Sequence, residues 1–183
     1  MIIGITGTHG AGKTETVQYL KELGFKHYSA RAFLQEEMSR RDLPDNRDSM
    51  VLVGNDLRAK HGPSYIAQQL YVRAKAETAN CVIESLRTPG EVKWLKAQEQ
   101  FYLLALDANQ ELRYTRITER KQSSDFVSFE RFVKDEEREM HSDDETKQNI
   151  SACMKLANFN IENSGTLEEL KTKIKEIINQ ISQ

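Results

Sequence analysis

The residues of this chain that could do chemistry begin with Gly7, Gly12, Lys13 and Thr14, which fill the pattern G-x-x-x-x-G-K-[ST] inside GTHGAGKT. By average composition, those four fixed positions should coincide by accident in roughly one chain in a hundred of this length. A loop of this spacing between a strand and a helix lets successive backbone N–H groups converge on one anion, and the helix dipole adds positive potential there. Glycine at 7, 10 and 12 allows the close approach and the φ values that such a curl needs. Lys13 is then placed to reach the β- and γ-phosphates of a nucleotide, and the Thr14 hydroxyl to ligate Mg²⁺. Gly7, His9, Gly10, Ala11, Gly12, Lys13, Thr14 and Glu15 are therefore candidate nucleotide-binding residues. His9 is expected to face solvent rather than to act as a catalyst.

The elements that must hold this loop flank it directly. IIGIT is a buried-strand run, and KTETVQYL carries Val17 and Leu20 on one helical face. After Gly24 as C-cap, FKHYS is a short second strand. ARAFLQEEMSRR and RDSMVLVGNDLRAKHG read as helices, and Pro63 suits the first turn of another that Ile66, Leu70 and Ala74 continue. CVIES is a third strand. Behind it Thr88, Pro89 and Glu91 make a capping box for a helix burying Val92 and Leu95. FYLLAL is a fourth strand of the near-continuous apolar kind found in parallel sheets, and Asp107 or Asn109 can cap the helix QELRYTRITER. KQSSDFVS lacks periodicity and reads as a flexible cover. VSFERFVKDEEREM and DDETKQNISACMKLA read as helices, the second with Ile150, Cys153, Met154 and Ala157 on one face. NFNIEN is the last strand, and a helix capped by Thr166 and Glu169 has the inward stripe Leu167, Leu170, Ile174, Ile177 and Ile181.

Alternation of strand and helix calls for an α/β fold, a parallel sheet with helices on both faces. Ligands of such sheets sit beyond the carboxyl ends of the strands. That rule selects the Gly7–Thr14 loop, Ser29 and Arg31, Glu84 and Arg87, Asp107 and Asn163.

Within this set Glu84 has two readings: a carboxylate holding Mg²⁺ directly or through water, or a strand-end acid bonded to the loop lysine without touching metal. Arg31, Arg58, Arg87, Arg116 and Arg120 fall in segments that could border one cleft, and planar bidentate donors suit phosphate recognition. Arg113, Arg116 and Arg120 recur at helical spacing before the flexible cover. On a closing flap they would neutralise a transferring phosphoryl group; on a solvated face they would pair with Glu111 and Glu119. The capping box accounts for Glu91. Asp125 and Asp135 read as flap and helix polar residues rather than metal ligands.

The totals limit the classes. The 183 residues, with formal charge −2, suggest one domain spanning residues 1–183 and give no sign of a nucleic-acid surface. No apolar run approaches the length that spans a bilayer, and the N-terminus reads as a core strand rather than a signal peptide. Cys81 and Cys153, far apart in the chain, read as buried thiols of a reducing cytoplasm. A GTPase switch would also show D-x-x-G and N-K-x-D, and neither is present.

Taken together, GTHGAGKT, GNDLRAKHG, ESLRTPGEV, RITER and IENSGTLEEL resemble the P-loop small-molecule kinases, especially nucleoside and deoxynucleoside monophosphate kinases and dephospho-CoA kinase. The likeness spans nearly the whole chain. It implies a three-layer P-loop NTPase fold with a five-stranded parallel sheet, a Mg·ATP site, an acceptor-binding helical region at about residues 30–80 and a lid at about 116–140. Carried onto this chain, Lys13, Arg87, Arg116 and Arg120 would be catalytic, Arg31, Arg58 and Arg87 would hold the acceptor, and Asn163 and Gly165 would lie near the adenine. The expected activity is transfer of the γ-phosphate of ATP to a small phosphorylated acceptor, most simply a nucleoside or deoxynucleoside monophosphate, by a cytoplasmic monomer or homodimer without nucleic-acid or membrane partners. A dephospho-CoA kinase pattern has an aspartate just after the second strand, where this chain has Ser29-Ala30-Arg31. That departure favours a phosphate acceptor, while Glu84 as a base keeps dephospho-CoA open. A regulatory nucleotide-binding ATPase without acceptor is the third alternative.

Overall fold

The computed structural model describes residues 1–120, 128–144 and 147–183, and only the backbone of Arg47. Five of its segments are strands: β1 (Ile2–Gly7), β2 (Lys26–Ser29), β3 (Cys81–Glu84), β4 (Phe101–Asp107) and β5 (Phe159–Glu162). All pair in parallel in the order β2-β3-β1-β4-β5. The register sets Ser29 beside Glu84, Gly7 beside Leu106 and Asp107 beside Glu162. The carboxyl ends of the strands thus finish at one edge, the edge where a parallel α/β sheet binds ligands.

The helices are α1 (Lys13–Glu22), α2 (Ala30–Arg40), α3 (Arg47–His61), α4 (Tyr65–Lys75), α5 (Pro89–Lys96), α6 (Gln110–Glu119), α7 (Phe129–Met140), α8 (Ile150–Lys155) and α9 (Leu167–Ile181). Alternate strand residues feed two separate cores. Ile3, Ile5, Val82, Leu104, Leu106 and Ile161 face Val17 and Leu20 of α1 and Leu170 and Ile174 of α9. Ile2, Cys81, Ile83, Phe101 and Leu103 face α2 to α5 and α8. The result is three layers, with the sheet buried on both sides as its apolar runs require. Each fully buried Leu or Ile contributes about 1.5–3 kcal/mol of transfer free energy.

Both expected capping boxes form, at Thr88 with Glu91 and at Thr166 with Glu169. Three details differ from expectation, and one open alternative, the cap of α6, is decided. Pro63 lies in the turn before α4, whose N-cap is Ser64, because Gly62 at φ 97 ends α3 and the Tyr65 N–H bonds back to Gly62 O. Asn109, not Asp107, caps α6 by accepting from Leu112 N. The helix expected from Asp143 starts only at Ile150. Asn149 ties its N–H to Arg87 O and its Nδ2 to Ser142 O, and so holds the described residues just before it, 147–149, out of helical register. Leu167, at the first position of α9, is 44 % exposed, leaving Leu170 and Ile174 as the buried stripe. Of the expected cover KQSSDFVS, only Ser128 is among the described residues, where it caps α7; Asp125 is not among them.

Candidate active site

The loop leaves β1 and enters α1 as the motif spacing requires. Gly7 has φ 130, and a Cβ there would lie 2.0 Å from Leu106 O of the neighbouring strand. Gly12 has φ 95 at the N-cap of α1, where a Cβ would lie 2.3 Å from Asn163 Nδ2. Side chains are therefore excluded by the protein's own packing, before any phosphate arrives. The Lys13 ammonium donates to Gly7 O (2.8 Å) and Thr8 O (2.6 Å). Burial, followed by the nearby Arg87 charge, lowers its pKa from 10.5 to about 7. Such depression marks a cation whose charge the surrounding protein supports poorly and a polyphosphate would support well. Thr14 is exposed and its hydroxyl has no intramolecular partner among the described residues, which leaves it free for a ligand. Glu15 beside it is exposed too.

His9 is exposed as expected, yet its ring stands 6.3 Å from that of Phe132 and its Nε2 lies 3.4 Å from Arg120 Nη2. Burial of its inner face, then Lys13 and Arg120, lowers its pKa. The adjoining contacts form a latch. Arg113, 4 % exposed, donates to Ala108 O and His9 O, pairs with Glu136 and lies over the Phe132 ring. Tyr114 and Phe129 complete the aromatic cluster. Helix α7 is thereby fastened to the loop. The arginine expected on a flap face is instead the buried rivet between α6, α7 and the loop.

The other predicted residues divide by position. Glu84 receives a hydrogen bond from Ser29 and an ion-pair contact from His27 Nε2 at 3.2 Å. Burial works to raise its pKa, but those donors and the Lys13 charge outweigh it and the net shift is downward, so the carboxylate is ionised. Lys13 is bonded to the loop carbonyls rather than to Glu84. Ser85 next to it has φ 67, the left-handed conformation that non-glycine residues adopt at a cost of order 1–3 kcal/mol. Arg87 Nη1 lies 3.4 Å from both Glu139 and Gln148. Arg31 is exposed and makes no ion pair among the described residues. Arg58 Nη2 donates to Glu91 Oε1 at 3.2 Å.

On the β5 side, Asn163 is buried and its Nδ2 holds Ala11 O at 2.9 Å, a brace for the loop. Arg116 donates to Asn163 O (2.7 Å) and Gly165 O (3.1 Å). Both its terminal nitrogens are engaged away from Lys13, which places Arg116 at the β5–α9 loop rather than on the phosphates. Arg120 stays near the loop through His9. Thr8 Oγ1 donates to Asp107 Oδ1 at 2.6 Å, a second brace. Among the described residues no group of three or more His, Cys, Asp or Glu side chains could hold a metal on its own.

Two residues of this site were not legible in the sequence: Glu91, disguised as a helix cap, and Glu139, one acid in an acidic run. The first had a signal, since an acid at N3 behind an arginine-bearing strand end can face inward as well as cap.

A UPF0200/UPF0201 protein of Archaeoglobus fulgidus is 26 % identical over 187 residues, and the chain, matched along 100 % of its length, spans 56 % of that relative. A UPF0200 protein of Pyrococcus abyssi is 27 % identical over 187 residues, covering 99 % of this chain and 97 % of the relative. Among solved structures, shikimate kinase from Acinetobacter baumannii superposes with TM-score 0.60 at 16 % identity over 98 % of this chain and 93 % of that one. Dephospho-CoA kinase from Campylobacter jejuni gives 0.55 at 17 % identity over 98 % and 96 %. These likenesses show the P-loop kinase fold; the narrower grouping with nucleoside monophosphate kinases is not distinguished by them. With residues 3–145 matching the family described as AAA domain, on a sheet whose first strand feeds the Lys13 loop, the chain belongs to that AAA-domain family of P-loop proteins.

Proposed function

We propose that this protein is an ATP-dependent phosphotransferase that moves the γ-phosphate of Mg·ATP to a small phosphorylated acceptor, most simply a nucleoside or deoxynucleoside monophosphate. The observation that carries the reading is the pairing across one edge of a nucleotide loop with guanidinium groups: Lys13 on one side, and Arg87 close enough to depress the Lys13 pKa on the other. Arg31, Arg58 and Arg87, carried by α2, α3 and the β3–α5 loop, would hold the acceptor. Loop amides and Lys13 would hold the triphosphate, Arg87 would face both reacting phosphates, and Arg120, beside His9, would approach the donor side. Arg116, with Asn163 and Gly165, would border the base.

The exposed Thr14 hydroxyl and the ionised Glu84 fit a Mg²⁺ held jointly with the nucleotide's phosphates, which would neutralise charge on the transferring group. An acceptor phosphate is already mostly ionised at neutral pH and needs positioning rather than a base.

A second reading, a hydroxyl acceptor as in dephospho-CoA, is favoured by Glu84: hydrogen bonds from His27 and Ser29 hold an ionised carboxylate at the carboxyl end of β3. The experiment is an ADP-release assay with Mg·ATP and a panel of nucleoside monophosphates and dephospho-CoA. Turnover dependent on a monophosphate is expected. Dephospho-CoA alone would select the second reading, and slow acceptor-independent hydrolysis would replace both with a regulatory ATPase.

A further inference from the structure

The Glu91 side chain is 2 % exposed, although an N3 acid in a capping box ordinarily sits at the surface. Its two oxygens are divided. Oε2 accepts from Thr88 N (3.2 Å) and Arg87 N (3.3 Å), and Oε1 accepts from Arg58 Nη2 (3.2 Å), 33 residues earlier on α3. A buried carboxylate is costly unless fully paired, so this geometry joins the strand-end loop to one particular guanidinium. The Arg58 Nε is itself buried without a hydrogen-bond partner among the described residues. A guanidinium that keeps a buried donor unmatched is not arranged for stability alone.

One turn before Arg58, at i−4, stands Gly54. A Cβ there would lie 3.1 Å from Arg58 Nη1 and 3.7 Å from both Leu34 methyl carbons. Glycine inside a helix costs about 1 kcal/mol relative to alanine. Here its missing side chain leaves the space in which the guanidinium lies.

We infer that Glu91 and Gly54 are positioning residues for Arg58: the carboxylate anchors the guanidinium, the glycine makes room for it, and together they set it as a rigid anion-binding arm of the acceptor pocket. The inference rests on the acceptor reading above and specifies its α3 side as a preorganised phosphate contact. It also links the two arms, because the same carboxylate holds the backbone N–H of Arg87.

The test uses Glu91→Gln, which keeps an oxygen for the helix cap but loses the charge, and Gly54→Ala, which leaves both charged partners in place. The Arg58 Nε–H signal, identified by its loss in Arg58→Lys, is followed by ¹⁵N relaxation, and KM values are taken for ATP and for whichever of AMP, CMP, GMP, UMP or dephospho-CoA is turned over. In the wild type the Arg58 order parameter is expected near the rigid value of about 0.85, falling below about 0.6 in Glu91→Gln, with a displaced resonance in Gly54→Ala. The acceptor KM should rise roughly tenfold or more in both, with the ATP KM unchanged. An Arg58 as mobile as exposed Arg31 in the wild type, or acceptor and ATP KM rising together with a fall in Tm, would overturn the inference. If the wild type turns over none of the panel, the phosphotransfer reading fails separately, and the relaxation comparison still decides whether these two residues hold Arg58.

Discussion

At the scale of single residues, Lys13 is the most informative group. Its pKa of about 7, against 10.5 for a solvated lysine, means that between those values the unfolded chain binds more protons than the folded one. Stability contributed by this group therefore rises as pH increases from about 7 toward 10.5, and falls on the return. A polyphosphate would restore the charged form, so nucleotide binding at pH 8 should take up about one proton. Titration calorimetry in buffers of different ionisation enthalpy measures this uptake, and Lys13→Met should abolish it. The same variant should lower phosphate transfer by roughly 10²-fold or more, the loss typical of removing one preorganised donor. Near-normal turnover in Lys13→Met would remove the ammonium from the mechanism. Arg87→Ala belongs at this scale too: its expected effect is a raised acceptor KM with a nearly constant ATP KM, and an unchanged acceptor KM would leave Arg87 only its contacts to Glu139 and Gln148.

At the scale of elements, α7 is held in place by a small set of named contacts. Its hold on the loop runs through Arg113, Glu136 and the ring cluster of Tyr114, Phe129 and Phe132. Removing one partner of a buried ion pair leaves the other charge uncompensated at a cost of about 3–5 kcal/mol. Arg113→Ala is accordingly expected to lower stability by that order and to raise hydrogen exchange in α7 first. Exchange rising equally in β1 and β4 would show that Arg113 supports the whole molecule and not this attachment. Helix α5 is the contrasting case, since Thr88, Pro89 and Glu91 specify its start from within four residues, and the sheet only decides which way it points.

For the whole molecule, the order β2-β3-β1-β4-β5 is what makes a site. With β1 central, the Lys13 loop has the β3 end with Glu84 and Arg87 on one side and the β4 end with Asp107 on the other. Ligand linkage then acts on the entire fold. At a hundred times its dissociation constant, Mg·ATP should add about 2.7 kcal/mol and raise Tm by roughly 5–10 °C for a chain of this size. A thermal scan of wild type beside Lys13→Met checks it. An equal rise in both would place the nucleotide away from this loop.

What the amino-acid order determined by itself was local and periodic. The loop motif, the five strands, both capping boxes and the alternation that demands a parallel sheet were all legible, because each depends on residues within one or two turns of one another. The helix over 143–157 failed by the same logic, since Asn149 is pulled to Arg87 O by a partner far away in the chain. Tertiary structure alone decided the fates of the arginines. Arg58, Arg87, Arg113 and Arg116 look alike in sequence, but one is anchored by a buried acid, one reaches Glu139 of α7, one rivets α7 and one is bound to the β5–α9 carbonyls. A guanidinium on a long flexible stem takes its role from whichever carboxylate or carbonyl the packed layers bring within about 3 Å, and that partner is specified by the register of the sheet rather than by neighbours along the chain.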